Sequence, residues 1–135
     1  MIIRKEDKSE FIQFSATNPD FLTLIGHKGY RSAFAPTGFN EGCFYFEVSI
    51  LEPQQPLPFL QVTPSVRIGF CDVVQQDKEL PLGGYEKSYC YSSLGKLVTK
   101  KVAIEDEIEK SKPGDVLGAL IDLAPPKPAF IRKAN

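Results

Sequence analysis

Alternating apolar and polar positions along the chain predict short strands divided by turns. Residues 44–51 carry the clearest pattern: Phe44, Phe46, Val48 and Ile50 fall on one face, Tyr45, Glu47 and Ser49 on the other. A period of two in aromatic and β-branched residues is that of a half-buried strand. Gly42 and Pro53 bracket it. Residues 65–71 predict a second strand, with Val66, Ile68 and Phe70 inward and Arg67 on the opposite face. Gly69 inside that strand implies a close backbone approach or a bulge. Residues 85–91 give a third, with Tyr85, Tyr89 and Tyr91 as its aromatic positions, and 97–104 a fourth. A short helix over 102–110, with Ile104 and Ile108 one turn apart, is the alternative reading of part of that stretch.

The run Val116-Leu117-Gly118-Ala119-Leu120-Ile121-Asp122-Leu123 is almost continuously apolar, the pattern of a strand covered on both faces. Pro113-Gly114-Asp115 before it is a turn, and Pro125-Pro126 ends it. Nearer the start, Phe11, Phe14, Phe21, Leu22, Leu24 and Ile25 predict short strands broken at Asn18-Pro19-Asp20. Residues 52–64 carry four prolines (Pro53, Pro56, Pro58 and Pro64), which break central-strand pairing and mark a long loop. Short strands, Pro/Gly turns and little helix together predict an all-β sandwich or barrel.

Composition narrows the function classes. A length of 135 residues suits one domain, large enough to bury a core without disulfide or metal staples. Sixteen Lys+Arg against 17 Asp+Glu leave a net charge of −1, which argues against a general nucleic-acid binder and a polybasic membrane anchor. No apolar run reaches the roughly 20 residues of a membrane-spanning helix. The start turns charged at Arg4-Lys5-Glu6-Asp7-Lys8, unlike a secretory signal, so the chain reads as intracellular.

Candidate chemistry is sparse. Cys43, Cys71 and Cys90 are widely spaced, and His27 is the one histidine. That set has neither a C-x-x-C pair nor finger-like spacing, so no metal site is expected. Each cysteine lies in an apolar or aromatic segment and reads as a small buried hydrophobe. His27 sits in Gly26-His27-Lys28-Gly29, a turn. The motif patterns of nucleophile elbows, phosphate loops, dinucleotide folds and zinc peptidases do not occur. Glu105, Asp106, Glu107 and Glu109 form an acidic cluster in a Lys-rich stretch and read as a solvated face. No cofactor is expected. A small enzyme using a Cys or a carboxylate stays as the alternative from another class; it requires His27 within hydrogen-bond reach of a cysteine in a cleft.

Four blocks, in order, resemble a SPRY domain. They are Glu41-Gly42-Cys43-Phe44-Tyr45-Phe46-Glu47-Val48, Val66-Arg67-Ile68-Gly69-Phe70, Pro81-Leu82-Gly83-Gly84-Tyr85-Glu86-Lys87-Ser88-Tyr89-Cys90-Tyr91, and Pro113-Gly114-Asp115-Val116-Leu117-Gly118. With the stretch ending at Tyr30, they are most similar to the Ash-two/Bre-two type, found in COMPASS-like histone H3 methyltransferase complexes. The resemblance covers about residues 20–124. It implies a bent antiparallel β-sandwich without catalytic activity. That module would bind a segment of a WD-repeat scaffold subunit and support SET-domain methylation of histone H3 at lysine four, in the nucleus. A SPRY substrate-receptor module of another complex, such as a ubiquitin ligase, is the alternative within the binding class.

The family's peptide-binding pocket uses two tyrosines, two arginines and a proline. By motif position these correspond to Tyr30, Arg67, Pro81 and Tyr85, while the second arginine falls at Ser92 and departs from the pattern. The implied division is residues 1–19 as an extension or first strands, 20–124 as the N-terminal portion of the domain with its 52–64 loop, and 125–135 as a tail or the start of an insertion. The six apolar side chains between Val116 and Leu123 represent on the order of 10 kcal/mol of burial, against a total domain stability of about 5–15 kcal/mol. Such a strand needs neighbours. The expectation is that further strands of the same domain, from another segment or a second chain, complete the sandwich.

Overall fold

A computed structural model describes residues 3–17, 20, 22–27, 29–51 and 65–123. The 52–64 loop and the 125–135 tail lie outside the described residues, as does most of the break at 18–20. The architecture is all-β and antiparallel. Among the described residues helix is limited to two 3-10 turns, Lys5–Asp7 and Val73–Gln75, and no helix is long and apolar enough to cross a membrane.

Among the described residues eight strands form three sheets. β1 (Ile12–Phe14) pairs with β2 (Leu24–Gly26), as the aromatic and aliphatic positions near the start predict. β3 (Cys43–Ser49) pairs with β8 (Val116–Asp122) along its whole length, although 66 residues separate Ser49 from Val116 in number only and their Cα atoms are direct partners. β4 (Arg67–Cys71), β5 (Ser88–Ser92), β6 (Lys96–Thr99) and β7 (Val102–Glu105) follow in spatial order as a meander.

The β3–β8 register sets the faces of the smaller sheet. Phe44 faces Ile121, Phe46 faces Ala119 and Val48 faces Leu117, all half-buried. Tyr45 faces Leu120 and Ser49 faces Val116 on the other side, all exposed. The prediction of burial on both faces for residues 116–123 is therefore corrected. The strand alternates strictly, because among the described residues nothing covers the face carrying Val116, Leu120 and Tyr45. Gly118 on that face lies beneath the Tyr45 ring, whose hydroxyl donates to Glu47 at 2.9 Å.

Phe46 meets Phe70 edge-on, with centroids 5.3 Å apart, and this contact joins the two sheets. Beside it a cavity of about 700 Å³ opens between them, lined by Ile68, Phe70, Tyr91, Leu97, Leu117 and Ala119 among others. The apolar side chains that are buried among the described residues are few: Ile12, Ile68, Cys90 and Val98. Three of these, Ile68, Cys90 and Val98, belong to the four-stranded sheet.

Two further readings change. Residues 97–104 are not one strand, nor is 102–110 a helix. The chain reverses at Lys100 and Lys101, both with positive φ (51° and 66°), and closes a two-residue hairpin between β6 and β7. Tyr85 lies in a turn ahead of β5 rather than within it. The expected close approach at Gly69 is present: a Cβ there would run into the Tyr89 carbonyl across the ladder.

Candidate functional site

Arg67 opens β4 and faces away from Ile68 and Phe70, so the sheet projects it onto the surface opposite the inter-sheet cavity. Its Cα partner on β5 is Ser92. Its Nη1 donates to the Leu82 carbonyl at 2.9 Å, and its guanidinium carbon lies 5.6 Å from the centre of the Tyr30 ring. That is cation–π range. Its Nε is buried without a hydrogen-bond partner, and among the described residues no carboxylate stands within 4.0 Å of it. The result is a held cation with donor capacity left over.

The turn over residues 81–88 forms one wall. Gly84 N–H donates to the Pro81 carbonyl at 3.0 Å. Ser88, fully buried, staples the turn: its hydroxyl donates to the Tyr85 carbonyl at 2.6 Å and accepts from Gly83 N–H at 3.1 Å. Gly83 sits at φ 83°, against the Cys90 thiol and Val98. Cys90 in turn donates to the Leu82 carbonyl at 3.3 Å, so Leu82 receives both the thiol and Arg67. Burial pushes the Cys90 thiol up, and the Arg67 charge opposes that.

The other wall is the segment carrying Tyr30, which is 44% exposed. Arg31 ties it to the segment that leads into the first wall: its Nε lies 3.1 Å from the Glu79 carboxylate and its Nη1 donates to the Glu79 carbonyl at 3.0 Å. Ser9 donates to the same carboxylate at 3.0 Å, and Ser32 donates to the Leu80 carbonyl at 2.6 Å. Arg31 also stacks its guanidinium over Phe11, 5.1 Å from the ring centre. Sequence reasoning singled out neither Arg31 nor Glu79, nor the Leu82 carbonyl. Adjacency of Arg31 to Tyr30 was the available signal; a backbone acceptor leaves none.

The five residues assigned by resemblance do not all converge. Tyr30 and Arg67 touch, and Pro81 belongs to the turn that Arg67 grips through Leu82. Tyr85 is half-buried, with its hydroxyl buried beside the Cys71 thiol at the far end of β4. Burial, then Cys71, drives its phenol well above the ordinary range. Ser92 faces Arg67 across the ladder but is only 3% exposed, and its hydroxyl accepts from Leu94 N–H at 3.3 Å. It is a strand-end cap where an arginine would present a second charge.

The cysteines differ from their common reading as buried hydrophobes. Cys90 is buried and Cys71 half-buried, but Cys43 is exposed, because it falls on the uncovered face of β3. His27 is exposed, and among the described residues no hydrogen bond joins its ring to a cysteine and no group of His, Cys, Asp and Glu is placed to hold a metal ion. No protein-family model matches the chain, and no curated protein matches it.

Proposed function

We propose that the chain is a non-catalytic protein–protein interaction module of the SPRY type. On this reading it belongs to a COMPASS-like histone H3 lysine-four methyltransferase complex in the nucleus. There it binds a peptide segment of the WD-repeat scaffold subunit and supports the SET-domain subunit. The observation that carries the reading is Arg67: a guanidinium laid against Tyr30, anchored on the Leu82 carbonyl, with no carboxylate of its own among the described residues. A cation held this way is suited to an incoming carboxylate, which its planar fork engages through two parallel hydrogen bonds. Tyr30 supplies a rigid, amphipathic wall of the kind found at interface hot spots.

The same reading includes a second partner, the remaining strands of the domain, supplied by a further segment or by a second chain. The half-exposed inner faces of both sheets and the cavity between them support it.

Affinity capture of the WD-repeat scaffold with wild type and Arg67→Ala tests the assignment. The expected result is capture by wild type and its loss in the variant, with an unchanged thermal transition. Equal capture by both removes Arg67 from the site; capture by neither sinks the partner.

A further inference from the structure

We propose that Glu79 is the positioning residue of the candidate site. Through Arg31 and Ser9 it fixes the segment carrying Tyr30 against the segment leading to Leu82, and so sets both partners between which Arg67 is held. The inference rests on the reading of Arg67 and Tyr30 as a binding site. Tyr30 is 44% exposed, so its ring has little packing of its own to keep it over Arg67. Its place is set by the backbone that carries it.

That backbone is fixed where three segments cross. The carbonyls of Lys78, Glu79 and Leu80 accept, in order, from Ser32 N–H at 2.9 Å, Arg31 Nη1 at 3.0 Å and the Ser32 hydroxyl at 2.6 Å. The Ser32 carbonyl accepts from Ser9 N–H at 3.1 Å, which brings in the third segment. Tyr30 comes one residue before this crossing and Leu82 two residues after it. The Glu79 carboxylate is the side chain that all three segments share: Arg31 Nε stands 3.1 Å from its Oε2, and the Ser9 hydroxyl donates to the same oxygen at 3.0 Å.

A lone ion pair as open as this one, with the side chains of Arg31 and Glu79 29% and 46% exposed, would contribute little. Two features raise this one above that level. The Arg31 guanidinium spans the carboxylate and the carbonyl of one residue while lying over the Phe11 ring, which limits its freedom to turn. Ser9 is fully buried, and its hydroxyl accepts from Phe11 N–H at 3.2 Å while donating to Glu79. Without the carboxylate a buried hydroxyl loses its acceptor. Loss of Glu79 therefore loosens the crossing from both sides. A ligand at Arg67 would then have to order Tyr30 as it binds.

NMR of the Arg67 Nε–H signal in the full chain tests this. The group is buried, and the Tyr30 ring beside it shifts its resonance. Tyr30→Leu gives the position without the ring. Glu79→Ala should move the signal most of the way to that position and weaken affinity for the WD-repeat scaffold roughly two- to tenfold, as ordering one further side chain on binding requires. Glu79→Gln, which keeps an acceptor for Ser9 and Arg31, should restore most of both. Phe46→Leu, a loss of packing elsewhere, should lower the thermal transition without moving the signal. An unmoved signal in Glu79→Ala overturns the proposal, as does a moved signal with unchanged affinity, or a Phe46→Leu signal that moves as far. If Glu79→Ala does not fold, Arg31→Lys, which keeps the charge but loses the fork, replaces it: movement toward the Tyr30→Leu position is expected, and none overturns the proposal. The signal is read without any partner, so a wild type that fails to bind the scaffold while the signal moves as expected sinks the partner and upholds the role of Glu79.

Discussion

Gly83→Ala measures how tightly the turn over residues 81–88 is seated on the sheet, and Gly114→Ala is its control. Both glycines have positive φ, 83° and 93°. For an L-residue the left-handed conformation alone costs about 1–2 kcal/mol. Their surroundings differ. A Cβ on Gly114 meets nothing within 4 Å, so Gly114→Ala should lose that conformational term and little else. A Cβ on Gly83 would stand 2.7 Å from the Cys90 sulfur and 3.1 Å from both Val98 Cγ1 and the Val98 carbonyl. Cys90 and Val98 are each only 6% exposed, and the Cys90 side chain is too short to swing clear. Overpacking of this kind costs about 1–3 kcal/mol more. Gly83→Ala should therefore destabilise by roughly 2–5 kcal/mol in total. Urea unfolding followed by circular dichroism reads the difference: with a slope of about 1–3 kcal/mol per molar, the two midpoints should separate by roughly 1 M. Adding Cys90→Ala to Gly83→Ala should recover part of the loss, because the nearest clashing atom is gone. If the two glycine variants unfold within about 0.5 kcal/mol of each other, the turn yields freely, and the argument that it rigidly presents Leu82 to Arg67 fails.

Thiol alkylation of the native chain near pH 8 should label Cys43 first, the half-buried Cys71 more slowly and the buried Cys90 only on unfolding, since burial also pushes the latter two thiols up; equal rates at all three positions, read by mass spectrometry, would contradict the packing described. The Asp115 carboxylate accepts from Lys112 N–H at 2.9 Å and from its ammonium at 3.3 Å, which holds it below the ordinary 3.8. Because the folded value is depressed, its contribution to the turn before β8 is fully present above the ordinary value and lost as pH falls through the folded one; a carboxyl midpoint at or above 3.8 in an NMR titration counts against that turn.

Much of the fold is legible where one residue type does one job. The period of two over residues 44–50 survives as half-buried and exposed positions of β3, since each inward side chain found a partner on β8. The placement of Arg67 opposite Ile68 and Phe70 follows from the same alternation, and it is what brings the guanidinium to Tyr30. The sequence fails to reveal features that depend on long-range neighbours. An apolar run such as 116–123 reports what a strand could bury, not what lies against it, so it cannot distinguish one covered face from two. The hairpin at Lys100-Lys101 is hidden because two-residue turns with positive φ usually carry Asn or Gly. Here Lys101 N–H donates to the Gly83 carbonyl at 2.8 Å, a tertiary bond that helps hold residues with no local preference for that shape. The Leu82 carbonyl at the heart of the candidate site is backbone, and backbone acceptors carry no letter.

The distribution of burial connects these features. In a sandwich the best-packed region ordinarily lies between the sheets, yet here the space between them holds a cavity and half-exposed side chains. The tightest cluster, made of Ser88, Cys90, Val98, Gly83 and Gly84, lies on the opposite face, beneath the 81–88 turn. That cluster shares atoms with the candidate site: Leu82 accepts from both the Cys90 thiol and Arg67. The candidate site is thus built on the best-packed part of the described residues, which is what a recognition surface would need if little ordering is to be lost on binding. The inner faces, which Arg67 does not touch, are where added strands would contribute stability. Substitutions on the inner face, at Phe46 or Leu117, should therefore lower stability while leaving the Arg67–Tyr30 contact intact, whereas substitutions beneath the turn, at Gly83 or Ser88, should disturb both.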